Sequence, residues 1–495
     1  MTEKIRNFIN GKWVDAIGKK TFESRNPADQ RDLIATVADS DTRDVNSAVK
    51  AARLAFPSWS SLPAPKRGEI LYGAAEILVK RKNLLGTMVT REMGKILPEG
   101  LGDVQEAIDM TYYMAGEGRR LCGETVPSEL PNKDAKSVRV PVGVFGLITP
   151  WNFPIAIPSW KIIPALIAGN TIVFKPAEET PVCATRFVEV LEEAGLPRGV
   201  LNLVHGFGET VGDPLVRHPD VDAVAFTGSN QVGSQLAGIC GSIQKHFMME
   251  TGGKNPIIIM DDADLDLAIE GALWGGFGTS GQRCTAASRL IVHQNVYDLF
   301  IKKFKERASR LIVGNGQDKK TNMGPIVSAA QYQQVLNYID IGKKEGAKLI
   351  LGGKGIKKGQ CAHGTFIEPT IFIDVTPTMR IAREEIFGPV VSILKVSNLQ
   401  EAIKIANTVS FGLSAAIYSR DVNNTAVFER DMDAGLIYIN ASTIGAEIQL
   451  PFGGTKKTGL GPRDAGGRGG ALDHYTKWKV IYRDFSGHLQ KAQID

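Results

Sequence analysis

Three residues of this 495-residue chain have the types and settings from which acyl chemistry is built: Cys284, Glu250 and Asn152. Cys284 lies in GQRCTAASR, residues 281–289, between a cation and a small hydroxyl residue. A thiol attacks a carbonyl as the thiolate, which needs a nearby cation, a helix N-terminus or a base. Arg283 offers the cation, yet adjacent side chains often point apart, and most lone cysteines are small buried hydrophobes. Glu250 stands in METGGKNP beside Met248 and Met249. A carboxylate with apolar neighbours can have a raised pKa and act as a general base; the plain alternative is a surface charge. Asn152 sits in TPWNFP, where prolines and aromatics can stiffen a loop and aim one amide. Removing such a donor from an oxyanion hole costs ~3–4 kcal/mol. The alternative is a turn in which Asn152 bonds its own backbone.

Other stretches suit a nucleotide. FTGSNQVG, residues 226–233, follows a strand-like run and opens a helical one, so Gly228 and Ser229 place free N–H groups at a helix N-terminus. Its GxxxxG spacing is not the dinucleotide GxGxxG, and an ordinary glycine turn fits it as well. GFGETVG, residues 206–212, is a second glycine-rich loop of the wrong spacing. In FKPAEET, residues 174–180, Lys175 and Glu178 can clasp a ribose. A carboxylate there accepts from a 2′-hydroxyl and repels a 2′-phosphate, which favours NAD over NADP. Two solvent-exposed charges are the alternative.

These residues need elements to carry them. Candidate strands lie at 144–148, 171–174, 200–204, 223–226 and 247–249. Segments of 3.6 periodicity lie between them, such as Phe187, Val190, Leu191 and Ala194, stopping at Gly195. Alternating βα units imply a parallel, doubly wound sheet. Ligands bind such sheets beyond the carboxyl ends of the strands. A second βα region follows Gly253. The chain before Val142 reads mainly helical from about 44 to 121. Two strand-like pieces, 136–142 and 477–482, can pair with each other or with another subunit.

Composition excludes several classes. The 58 basic and 53 acidic residues nearly cancel to a net charge of +5, too weak a bias for a nucleic-acid partner. The N-terminus lacks the apolar core of a secretory signal, and no apolar run approaches the ~20 residues of a membrane helix. The five cysteines form no CxxC pair, and the histidines no metal-ligand spacing, so neither a disulfide framework nor a metal site is expected. A reducing cytoplasm fits this usage.

TPWNFP, KPAEET, FTGSNQVG, METGGKNP, GQRCTA, EEIFGPV (384–390) and PFGGTKKTG (451–459) together resemble the aldehyde dehydrogenase superfamily, in the family's order across nearly the whole chain. The resemblance implies an α/β fold with a Rossmann-like cofactor domain (1–122 and 142–253), an α/β catalytic domain (254–454) and a small β oligomerisation arm (123–141 and 470–495). It implies a homodimer or homotetramer. It assigns Cys284 as the nucleophile that forms a thiohemiacetal and then a thioester. Asn152 and the Cys284 backbone N–H hold the oxyanion, Glu250 activates the hydrolytic water, and Lys161 lies near the centre. NAD, with NADP possible, is expected to contact Thr149, Pro150, Trp151, Lys175, Glu178, Gly208, Phe226, Thr227, Gly228, Ser229, Val232, Glu385 and Phe387. The aldehyde is expected to meet Glu106, Phe153, Trp160, Arg283 and Phe452.

Glu106, Arg283 and STIGAEI (442–448) resemble the branch that oxidises 2-aminoadipate semialdehyde, related to enzymes of 2-oxoglutarate semialdehyde. TPWNFP and LPFGG depart from the first group. The expectation is therefore an acid semialdehyde, without a choice between them. Arg283 suits a distal carboxylate or serves as a structural bridge that positions the cysteine loop. A glutamate at position 250 favours hydrolysis over CoA acylation, since CoA would replace water. Intact Cys284, Glu250 and Asn152 oppose a non-catalytic protein on the same fold.

Overall fold

The computed structural model describes residues 3–491 and 493; Met1, Thr2, Ala492, Ile494 and Asp495, which the expected first and last segments include, lie outside the described residues. Runs such as VFGLI (Val144–Ile148), TIVFK (Thr171–Lys175) and NPIII (Asn255–Ile259) are buried at every position. Continuous apolar runs of this kind are what strands of a parallel sheet covered on both faces require.

Two large sheets result. The first has eight strands in the order Gly459–Leu460, His246–Glu250, Ala223–Thr227, Val144–Ile148, Thr171–Lys175, Leu201–Leu203, Asn7–Ile9 and Lys12–Val14. The five from His246–Glu250 to Leu201–Leu203 are mutually parallel. The chain starts this set at Val144–Ile148 and then adds strands to either side, so the order reverses there. A crevice opens beyond the carboxyl ends at such a point. The second sheet has seven strands in the order Lys348–Leu351, Thr370–Ile373, Val390–Val396, Ala287–His293, Asn255–Ile259, Ser414–Tyr418 and Leu436–Ile439, parallel except for the first.

Four residues, 251–254, carry the chain from the carboxyl end of His246–Glu250 to the amino end of Asn255–Ile259. The carboxyl edge of one sheet therefore faces the amino edge of the other. Helices α1 (Thr42–Ser61), α2 (Ala64–Met93) and α3 (Leu97–Glu117) precede the first parallel strand. Asp41 closes a capping box at the start of α1, and α2 stops at left-handed Gly94. Helices α4 (Ala156–Ala168) and α5 (Pro181–Glu193) cover the first sheet, and Gly195 beyond α5 is left-handed at φ 88°.

The two strand-like pieces pair with each other. Lys133–Pro141 runs antiparallel to Thr476–Asp484 in a three-stranded sheet with Glu124–Pro127. Residues 3–39, which the sequence reading left unassigned, form five short strands. Among the described residues no helix is long and apolar enough to cross a membrane, and no group of three or more His, Cys, Asp or Glu is set to hold a metal.

Candidate active site

A cavity of about 750 Å³ lies between the two sheet edges. Every site residue expected from sequence lines it except Lys161. Lys161 is fully buried one layer back, where its Nζ donates to Asp464 Oδ2 at 2.8 Å. Asp464, not singled out by sequence, stands in the wall in its place.

One wall is the carboxyl edge of the first sheet. Thr149 follows Val144–Ile148, Lys175 ends Thr171–Lys175, and Thr227 ends Ala223–Thr227. Ser229 caps the long helix Asn230–Ser242, its Oγ accepting from Val232 N–H at 3.3 Å. A Cβ on Gly228 would sit 2.4 Å from the Phe226 ring, so only glycine fits there. Lys175 Nζ donates to Glu178 Oε2 at 2.9 Å and to the Pro176 carbonyl at 2.9 Å. Thr149 Oγ1 and Thr227 Oγ1 are buried without partners among the described residues. Gly208 begins a wide helical turn, Gly208–Gly212, at the same edge. A helix N-terminus, a glycine at its mouth, unpartnered hydroxyls and a Lys–Glu clasp fit a dinucleotide.

The other wall carries Cys284. The preceding turn holds three successive left-handed residues, Thr279 (φ 51°), Ser280 (φ 56°) and Gly281 (φ 69°). The first two cost about 1–2 kcal/mol each, so surrounding bonds must hold them. Ser280 Oγ donates to Gly324 O at 2.7 Å. Gln282 Nε2 donates to Thr279 O and Pro325 O, both at 3.2 Å, and Gln282 Oε1 accepts from Val327 N–H at 3.0 Å. A Cβ on Gly281 would lie 2.2 Å from Gly388 O. Beyond the cysteine, Asn255 Nδ2 donates to the carbonyls of Cys284 (2.7 Å) and Ala286 (3.0 Å).

Burial, then the Glu385 and Glu250 carboxyls, push the Cys284 thiol up to about 12; the backbone N–H groups of Thr285 and Cys284 pull the other way. Both carboxyls are themselves driven toward the neutral form, Glu385 to about 7 by burial and Glu250 well above the usual range by burial and Asp464. A neutral carboxyl does not oppose a thiolate. Glu250 ends its strand against a glycine loop: Gly454 N–H meets Oε2 at 3.3 Å, and a Cβ on Gly453 would sit 2.1 Å from Oε1. Glu385 accepts from Gly253 N–H at 2.9 Å. Phe387, left-handed at φ 55°, meets Trp151 edge-on at 5.3 Å.

Asn152 is buried, and its Oδ1 has no partner among the described residues. Also in the cavity wall, Trp160 packs edge-on against Phe452 at 5.0 Å. The Arg283 guanidinium lies over Phe153 (5.3 Å) and Trp274 (4.9 Å). Its Nε donates to Thr279 Oγ1 at 2.8 Å and its Nη2 to Glu99 Oε1 at 3.2 Å. Glu106 faces the same space, its carboxyl pushed up to about 7 by burial and Asp103.

A family model described as the aldehyde dehydrogenase family matches residues 13–481. The chain belongs to the aldehyde dehydrogenase family. It is accordingly an oxidoreductase that oxidises an aldehyde with NAD(P). It is 44% identical over 478 residues to an alpha-ketoglutaric semialdehyde dehydrogenase of Bacillus subtilis, covering 96% of this chain and 97% of that one. It is 43% identical over 487 residues to an alpha-ketoglutarate semialdehyde dehydrogenase of Haloferax volcanii, covering 98% and 100%. A betaine aldehyde dehydrogenase of Staphylococcus aureus, solved in complex with NAD+, superposes with a TM-score of 0.95 at 37% identity, covering 98% and 95%.

Within this aldehyde dehydrogenase, sequence reasoning missed Asp464 and the Gly453–Gly454 seat of Glu250, whereas residues 444–446 of the wall lie within STIGAEI, which it had singled out. Asp464 sits just past PFGGTKKTG, in GPRDAG, and a charge beside that glycine run was the available signal.

Proposed function

We propose that this aldehyde dehydrogenase converts an acid semialdehyde of the 2-oxoglutarate semialdehyde class into the corresponding diacid, preferring NAD over NADP and releasing the product to water rather than to CoA. The observation that carries this reading is the single cavity in which Cys284, Glu250 and Asn152 share walls with the Lys175–Glu178 clasp and with a polar far end of Arg283 and Glu106. The names of the two semialdehyde relatives point the same way.

Cys284 releases its thiol proton to solvent water and adds as the thiolate to the aldehyde carbon, and the Asn152 amide with the Cys284 backbone N–H receives the oxyanion. Bound NAD(P) supplies the hydride acceptor. Loss of hydride from the former aldehyde carbon leaves a thioester on Cys284. The ionised form of Glu250, made more basic by burial, draws a proton from water, which then cleaves the thioester and returns the thiol. Lys161 acts from behind, through Asp464. Lys175, Glu178, Ser229 and Gly228 hold the adenosine and diphosphate portion, and Glu385 with Phe387 the nicotinamide end.

Phe153, Trp160 and Phe452 form the apolar throat. Arg283 keeps its place by its bonds to Thr279 and Glu99 while its face fronts the cavity. A Glu106 carboxyl near the neutral form donates a hydrogen bond to an acid or oxo group instead of repelling it.

The proposed division follows the two large sheets and the three-stranded sheet of Glu124–Pro127, Lys133–Pro141 and Thr476–Asp484, with Gly459–Leu460 returning to the cofactor sheet. Trp478, Val480 and Tyr482 line one exposed face of the edge strand Thr476–Asp484, which supports a homodimer or homotetramer joined there; the five free cysteines support a cytoplasmic location. The test is a panel of aliphatic, aromatic and acid semialdehydes with NAD or NADP, with and without CoA. Acid formation from the acid semialdehydes, indifferent to CoA, is expected. Acyl-CoA as the product, or no nucleotide reduction with any aldehyde, overturns the reading.

A further inference from the structure

We infer that one face of α3 is a gauge that sets the spacing between the nucleophile loop and the oxyanion loop, with Glu99 and Asp103 as positioning residues. The inference rests on the roles proposed above for Cys284 and Asn152.

Glu99, Asp103 and Glu106 stand at i, i+4 and i+7 of α3, a spacing that aligns three acids on one helix face. Each meets a different part of the site. Glu99 Oε1 accepts from the backbone N–H of Thr279 at 2.7 Å and from Arg283 Nη2 at 3.2 Å, so it grips both ends of the turn that leads to Cys284. Asp103 Oδ1 accepts from Ala156 N–H at 2.7 Å and Ile155 N–H at 3.3 Å, so it grips the first turn of α4, just past Asn152 and Phe153. Its other oxygen pairs with Lys95 Nζ at 3.0 Å, and both side chains are fully buried. The same ammonium lies 3.6 Å from the centre of the Phe153 ring, which Arg283 also faces.

The two loops come from distant parts of the chain and belong to opposite sheet edges. Glu99 and Asp103 tie both to one rigid rod, on which four residues span about 6 Å of axis. Their charges are matched by Arg283 and Lys95, so neither anchor is left as an unpaired buried ion. Glu106, the third acid, makes no hydrogen bond or ion pair among the described residues and is left facing the cavity.

The experiment measures steady-state oxidation of the preferred aldehyde per Cys284 thiol titratable by iodoacetamide, with nucleotide affinity measured in parallel, for the full-length enzyme. Glu99→Ala is expected to lower kcat/KM per thiol about tenfold to a hundredfold, through misplaced reacting groups, with nucleotide affinity unchanged. Glu99→Gln keeps both acceptor contacts and is expected to recover most of that loss. Lys95→Met/Asp103→Asn is expected to lie closer to wild type than Lys95→Met alone, because the double variant leaves no unpaired carboxylate. A purely structural role predicts fewer titratable thiols at an unchanged rate per thiol, and that result overturns the gauge. Equal losses in Glu99→Ala and Glu99→Gln overturn it too. Where Glu99→Ala does not fold, Glu99→Asp serves, since a side chain one methylene shorter must slow the rate per thiol while Gln does not. Turnover retained in Cys284→Ala sinks the reading of the site; a dead Cys284→Ala beside an unchanged Glu99→Ala sinks only the gauge.

Discussion

The two walls of the cavity are built by different means. The first-sheet wall is local. Each of its groups sits within a few residues of a strand end, and its contacts are short in sequence, such as Lys175 to Glu178 and Ser229 to Val232. The reacting centre, which is the second-sheet wall together with Glu250 from the adjoining first-sheet edge, is assembled from afar. Thr279 is held by Glu99, Cys284 by Asn255, Glu250 by Gly454 and Gly253 by Glu385. A strand–turn–helix unit makes a binding edge by itself. A reacting centre needs groups whose relative placement no single unit dictates, and here it also carries the left-handed backbone of Thr279 and Ser280.

If the comparison holds, damage to one wall must leave the work of the other intact. The largest effect is expected from Cys284→Ala, which should reduce turnover to background while a nucleotide titration followed by fluorescence stays as in wild type. Loss of nucleotide binding in this variant breaks the separation. Next comes Glu250→Gln. It should lower steady-state turnover by ~10²–10⁴ yet preserve a first burst of reduced nucleotide, because only thioester hydrolysis loses its base. Rapid-mixing absorbance decides this, and absence of the burst moves Glu250 to the earlier step.

On the opposite wall Glu178→Ala should raise KM for NAD about tenfold, the worth of one charged hydrogen bond, with kcat nearly unchanged. A matching fall in kcat would show that the two walls are coupled. The smallest effect concerns Glu106. Its folded-state pKa of about 7 lies above the usual carboxylate value, so the hydrogen-bond-donating form is present below that pH and is lost as pH rises through it. KM for an acid semialdehyde should climb a few-fold between about pH 6 and 8, whereas KM for an uncharged aldehyde should not. Glu106→Gln should flatten the difference.

The same contrast explains what could be read from the chain. The central strands of the first sheet were legible to within a residue or two, because apolar runs bounded by turn residues need no partner to be recognised. The second βα region was legible for the same reason; the two outlying pieces were legible as strands, but their partner was left open, and only the register of Lys133–Pro141 against Thr476–Asp484 decides it. Gly459–Leu460 was not: two residues have no periodicity, and only their register against Met249 and Glu250 makes them a strand. The three-residue strands near the N-terminus share that fate. Cys284, Glu250 and Asn152 were weak signals singly and became firm only as motifs in order. Glu99 and Asp103 read as ordinary charges on an amphipathic helix, and nothing near them in sequence announces Thr279 or Ala156 as their partners. Arg283 was left open between two roles, and its bonds to Thr279 and Glu99 supply the bridge while its face supplies the wall.

The crossing at residues 251–254 bears on how ligands come and go. All four residues are buried. Thr251 Oγ1 donates to the Thr458 carbonyl at 2.9 Å, Thr458 Oγ1 donates to Gly252 O at 2.9 Å, and a Cβ on Gly252 would lie 1.9 Å from Glu385. A hinge needs residues free to absorb large changes in φ and ψ, and this crossing has none. The sheets therefore do not swing apart like a clamshell. Substrate entry and product release are then expected to occur without a change in the spacing of the two sheets. Solution X-ray scattering should accordingly give the same radius of gyration with and without bound nucleotide.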